Sequence, residues 1–125
     1  MMLKTAPLPT KFAPAERAPM TVIEQQTHYF SDNSLLHQLL DAVPDIFLVV
    51  NAQRQIVFAN QAMLNYLQVS ADDFINGLRP GEALHCVHAT DMAGGCGTSE
   101  FCRECGAVKA ILSGLSGQKS VQECR

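Results

Sequence analysis

Cys86, Cys96, Cys102 and Cys105 carry the strongest chemical signal in the chain, with the spacing C-x9-C-x5-C-x2-C. The x2 pair lets two sulfurs converge on one ion, and Gly94, Gly95 and Gly97 give the intervening backbone freedom to wrap around it. Four thiolates can hold tetrahedral zinc or an iron-sulfur cluster. Zinc would act as a structural clip, whereas a cluster would report oxygen or redox poise by being oxidised or lost. His85 and His88 are candidate substitute ligands.

The same residues also read as a metal-free thiol/disulfide switch. Cys102-Arg103-Glu104-Cys105 stands at the start of a predicted helix, where the helix N-terminus and the neighbouring Arg favour thiolate. The bland alternative is a set of buried, reduced cysteines with no special role. Thioredoxin-type catalysis lacks its βαβ context, and c-type haem attachment fails because Gly106 stands where His is required. Cys124, beside the terminal Arg125, reads as a strand residue or free thiol outside the site. His28 and His37 read as surface or satisfied histidines, and Asp72-Asp73 as helix capping. Arg79 and Glu82 are spaced for an ion pair that braces the loop.

The elements that must position these groups belong to one compact domain of a 125-residue chain. With 47% hydrophobic and 17% charged residues, the chain can fill a core. A net charge of -3 supplies no basic surface for nucleic acid, and no apolar run is long enough to cross a bilayer. The N-terminus lacks the apolar core of a secretory signal, so the expected compartment is the cytoplasm, where thiols stay reduced. The odd cysteine count also argues for a metal or redox site over a disulfide framework.

Residues 1–30 read as a flexible tail to about residue 20, with Pro7, Pro9, Pro14 and Pro19 and no sustained period, then as a linker through Phe30, and 31–125 as the domain. Ser31-Asp32-Asn33-Ser34 offers N-caps for a helix with apolar face Leu35, Leu36, Leu39, Leu40 and Val43, stopped by Pro44. Ile46–Val50 predicts a central strand buried on both faces. Residues 51–55 form a hairpin-length connection to a second strand, Ile56–Asn60, paired antiparallel to the first. Helical spacing returns at Ala62, Met63, Tyr66 and Leu67. Ser70–Asp73 then offers a cap for a short helix with Phe74 and Ile75, closed by Gly77. A last helix from about Cys102 carries Cys105, Val108, Ile111, Leu112 and Leu115, and residues 120–125 can open another strand.

This order, with Phe58-Ala59-Asn60-Gln61-Ala62 leaving the second strand, resembles the first half of a PAS domain from about Leu35 onward. Asn60 and Ala62 match that family's turn into the following helix, where an Asn side chain caps the helix. From Arg79 the chain resembles a bacterial subset with the cysteine element Arg79-Pro80-Gly81-Glu82, Cys86, Cys96-Gly97-Thr98-Ser99, Cys102 and Cys105-Gly106-Ala107. The resemblance implies an α+β fold, an antiparallel sheet flanked by helices. Its last three strands are expected beyond Arg125 or from another chain, because two strands alone leave open edges.

The resemblance also implies a sensory, non-enzymatic module acting as a homodimer on a downstream signalling domain or partner protein, such as a histidine kinase. In that family the helix before the first strand often mediates dimerisation, so the Leu35 to Val43 face is expected to be core or a dimer contact. Haem and flavin, which the family commonly binds, are not indicated by any residue. The expected function is redox, oxygen or small-ligand sensing through the cysteine site. A protein interaction module with a structural zinc or disulfide is the second reading, and a thiol oxidoreductase the weakest.

Overall fold

A computed structural model describes residues 8–70, 75–119 and 122. The cap at Ser70–Asp73 with Phe74, the terminal strand over 120–125 and Cys124 therefore lie, wholly or in part, outside the described residues. The fold is α+β, and it divides into two compact units. One takes in Arg17–Leu84. The other joins the N-terminal stretch through Glu16 to the chain from His85 onward.

In the Arg17–Leu84 unit, α1 (Met20–Asp32) and α2 (Ser34–Asp41) precede an antiparallel pair, β1 (Leu48–Val50) and β2 (Ile56–Ala59). Helix α1 falls where the sequence predicts tail and linker. Its length is explained by tertiary contact: Ile23 is buried, and Phe30 packs on Phe58 of β2 at 5.6 Å between ring centres. Helix α2 starts as predicted, with the Asn33 side chain accepting from the Leu36 N–H. His28 faces Asp32 at 3.8 Å on exposed helix surface, and the half-buried His37 faces Asp41 at 3.6 Å while its ring meets Phe58 edge-on at 5.7 Å.

The strands pair Leu48 with Ala59, Val49 with Phe58 and Val50 with Ile56, with an irregularity between Val49 and Val50. Both are shorter than the predicted runs. The prediction that the first is buried on both faces is corrected: β1 is half-buried, whereas every residue of β2 is buried. Neighbours decide this. Phe58 meets α1, while Ile56 and Ala59 join Met63, Leu64, Ile75 and Ala83 in one core. The Gly77-Leu78 backbone also bonds to Ile56, at 2.8 and 2.7 Å, covering part of the outer edge of β2.

Helix α3 (Gln61–Leu67) is capped by Asn60, as its position predicts. Helix α4 (Pro80–Ala83) is one short turn with Pro80 at its first position. The Arg79 N–H donates to Glu82 Oε1 at 2.9 Å, and Glu82 also pairs with Arg17. Arg79 itself is fully buried, and its Nε donates to Gln53 O at 2.9 Å. The other unit contains 3₁₀ turns at Val87–Thr90 and Glu100–Glu104, then α5 (Gly106–Leu115). The helix predicted from Cys102 thus begins at Gly106, after a 3₁₀ turn. Among the described residues, no helix is long and apolar enough to cross a membrane.

Candidate functional site

All four candidate cysteines lie in the unit that begins at His85, and none is in a disulfide. Cys86 is exposed at the N-cap position of the first 3₁₀ turn, just after His85, whose φ of 59° is left-handed. Cys96 stands between Gly95 and Gly97, at φ 84° and 91°. Those values are open to glycine and strained for other residues, which accounts for the glycines flanking this cysteine. Thr98 closes the turn: it is fully buried, and its Oγ1 donates to Gly95 O at 2.6 Å.

Gly94 has a different role from the wrapping freedom expected of it. A Cβ there would lie 2.8 Å from Thr98 Cγ2 and 2.9 Å from Ala15 Cβ. Gly94→Ala is therefore expected to cost about 1–3 kcal/mol by overpacking. Denaturant unfolding followed through α5 amide protection checks this, and an unchanged midpoint would contradict it.

A polar network ties the loop together. His88 Nδ1 and Ser99 Oγ each lie 2.8 Å from Asp91 Oδ2, and Ser99 Oγ accepts from the Phe101 N–H at 3.2 Å. Phe101 stacks on the His88 ring with centres 4.8 Å apart. The His88 contact first, and the Ser99 hydroxyl second, hold the Asp91 carboxyl below its ordinary pKa of 3.8. A depressed carboxylate stabilises the fold above its unfolded pKa and loses that contribution as pH falls through the depressed value. Phe101 ring resonances should therefore shift on acidification below pH 3.8, and Asp91→Asn should abolish the shift. An identical acid shift in that variant would refute the network.

Cys102 and Cys105 are brought together by the second 3₁₀ turn. The Cys105 N–H donates to Cys102 O at 3.1 Å, and Cys105 then stands at the N-cap position of α5 without a side-chain capping bond. A hydrogen-bonded turn of this kind holds its first and fourth Cα atoms within about 7 Å, and a disulfide requires about 4.4–6.8 Å. Cys102 is only 5% exposed, sharing a small apolar cluster with Ala13 and Val108, against which Phe12, Cys105 and Leu112 pack. The thiol of Cys102 is thus part of the packing that seats α5.

Cys86 and Cys96 lie on separate turns of the loop. Among the described residues, no three His, Cys, Asp or Glu side chains form a group that could hold a metal ion. By donor type the four thiols suit zinc or an iron-sulfur cluster, so ion binding would be coupled to a rearrangement that gathers them.

Sequence reasoning missed two features of this unit: the His88-Asp91-Ser99 network and the docking of the N-terminal stretch beside Cys102. The first had a weak signal in closely spaced polar residues. The second had only Pro9 and Pro14, which favour extended backbone at the residues before them.

A family model described as a PAS domain matches residues 34–103, a span that includes Cys86, Cys96 and Cys102. No curated protein and no solved structure gives a significant match.

Proposed function

The chain belongs to the PAS domain family, and on that premise we propose that it is a sensory module whose input is read by cysteine thiols, with Cys102 and Cys105 as the reacting pair. The observation that supports this reading is the placement of both sulfurs on the turn that opens α5, with Cys102 inside the cluster that packs the helix. A peroxide is a suitable oxidant class. One thiol, reacting as its thiolate, attacks an oxygen of hydrogen peroxide and breaks the O–O bond, giving a sulfenic acid and one water. The second thiol then attacks the sulfenic sulfur, displaces a second water and closes the disulfide. The pair loses two electrons and two protons, and the peroxide is reduced.

Closing that bond would change how Cys102 packs in the cluster it shares with Val108, and α5 would repack. Signal would then pass as altered pairing between two copies, to an output domain or partner protein. The module itself has no catalytic role in this scheme, and a reducing compartment such as the cytoplasm resets the pair.

A second reading keeps the site and changes the chemistry: Cys86, Cys96, Cys102 and Cys105 hold zinc or an iron-sulfur cluster. It is favoured by the two left-handed glycines around Cys96 and by the x2 pair. Bound iron-sulfur would supply one-electron redox chemistry, whereas zinc would only clip the loop. A clip of that kind, or a purely structural disulfide, would make the chain a protein interaction module.

Anaerobic purification with metal and sulfide analysis, followed by differential alkylation and peptide mapping before and after peroxide, tests these readings. The thiol pair predicts metal-free protein with a reversible Cys102–Cys105 disulfide that is lost in Cys102→Ser. Both thiols remaining alkylatable after peroxide would overturn it, and stoichiometric iron or zinc released by Cys102→Ser would favour the metal centre.

A further inference from the structure

The stretch Thr10–Ala15 lies along the cysteine loop in a strand-like way. The Lys11 N–H donates to Thr98 O at 2.8 Å and the Ala13 N–H to Gly97 O at 2.9 Å. Arg103, between the paired cysteines, donates from Nε and Nη2 to Lys11 O at 3.3 and 3.0 Å. Thr10 Oγ1 closes the stretch on itself through Ala13 O and accepts from the Phe12 N–H at 3.2 Å. Ala13 and Ala15 are 1% and 4% exposed, and Ala15 sits against the bare Cα of Gly94.

These contacts have an uneven make-up. Ala13 and Phe12 cover Cys102, yet only Phe12 contributes a large apolar side chain to that contact. Backbone hydrogen bonds from Lys11 and Ala13, the exposed Arg103 and the packing of Ala15 on Gly94 add to it. A short segment that brings a single large apolar side chain, Phe12, to the cluster opens at lower free energy than a packed helix. Helix α5, by contrast, buries Val108 and packs Leu112 in the same cluster.

We infer that Thr10–Ala15 is a detachable strap that controls reagent access to Cys102. With the strap seated, Cys102 is shielded and Cys86 is exposed; with it released, Cys102 opens to solvent while α5 stays folded. The role of this cover in sensing rests on the thiol reading above. The cover itself rests on the contacts and is tested without any oxidant.

The test uses the full chain and iodoacetamide, whose iodide is displaced by the thiolate sulfur. Alkylation of Cys102 and Cys86 is followed by peptide mass, alongside amide exchange of α5. Ala13→Asp places a carboxylate at a buried position, and Lys11→Pro removes the donor to Thr98 O at an exposed one. In both variants Cys102 alkylation should accelerate about tenfold or more, with Cys86 alkylation and α5 protection unchanged. An unchanged Cys102 rate in both variants would overturn the strap. So would acceleration accompanied by loss of α5 protection, because the stretch would then be core. If the strap behaves as expected and peroxide forms no disulfide, the thiol reading fails and the cover stands.

Discussion

Asn60→Ala is expected to destabilise the Arg17–Leu84 unit by about 3–5 kcal/mol. Asn60 is fully buried. Its Oδ1 accepts from the Phe47 N–H at 3.0 Å and the Met63 N–H at 3.1 Å. Its Nδ2 faces three carbonyl oxygens, those of Leu40, Val43 and Asp45, at 3.3, 3.2 and 2.8 Å. One amide therefore caps α3, ties down the end of α2 and aligns the entry to β1. Alanine removes all five contacts at once from mostly half-buried backbone groups, each bond counting at about its net worth of 0.5–1.5 kcal/mol.

Asn60→Asp separates hydrogen bonding from size. It keeps the acceptor and turns a carboxylate oxygen toward three carbonyls, so at neutral pH it should be at least as unstable as the alanine variant. Denaturant midpoints, read through the amide protection of Val49 and Phe58, check both. A loss under 1 kcal/mol in Asn60→Ala would contradict this account.

The second large effect is expected at Arg79. Its guanidinium is fully buried and donates to Gln53 O, and its backbone N–H is held by Glu82. The side chain thus fixes the β1–β2 connection against the start of α4. Arg79→Met retains much of the volume but leaves the carbonyl of Gln53 without this donor, for a loss of about 2–3 kcal/mol. Arg79→Lys should recover less than half of it, because an ammonium cannot reproduce the planar fork of donors. Recovery to the wild-type midpoint by Lys would show that charge alone matters there.

These two residues also show what was legible in the sequence. The capping role of Asn60 could be read, since an Asn between a strand and a helical period offers an oxygen to the following N–H. Its grip on Leu40, Val43 and Asp45 could not, because it depends on the turn between α2 and β1 returning to the same point. Arg79 was read with Glu82, and Glu82 does bond to its backbone N–H, but burial of the guanidinium is a tertiary outcome with no local signature. The strands were recognisable from their β-branched runs. Which of them is buried on both faces was decided by Phe30 of α1, a helix that lay in a stretch read as linker.

In the cysteine unit the x2 pair was legible and its placement before a helix was correct within a few residues. The turn type was not, since a 3₁₀ turn and the first turn of an α-helix present the same i, i+3 spacing. The strap escaped notice for a related reason. Backbone N–H groups make its contacts to Gly97 and Thr98, so Lys11 and Ala13 carry no side-chain signal for them.

The central claim, that the state of the Cys102–Cys105 pair sets the packing of α5, is tested most directly by amide exchange across Val108–Leu112 in fully reduced and peroxide-oxidised chain. The account predicts a clear change in protection there on oxidation, reversed by reductant and absent in Cys102→Ser. Equal protection in the two states, with the disulfide verified by mass, would contradict it.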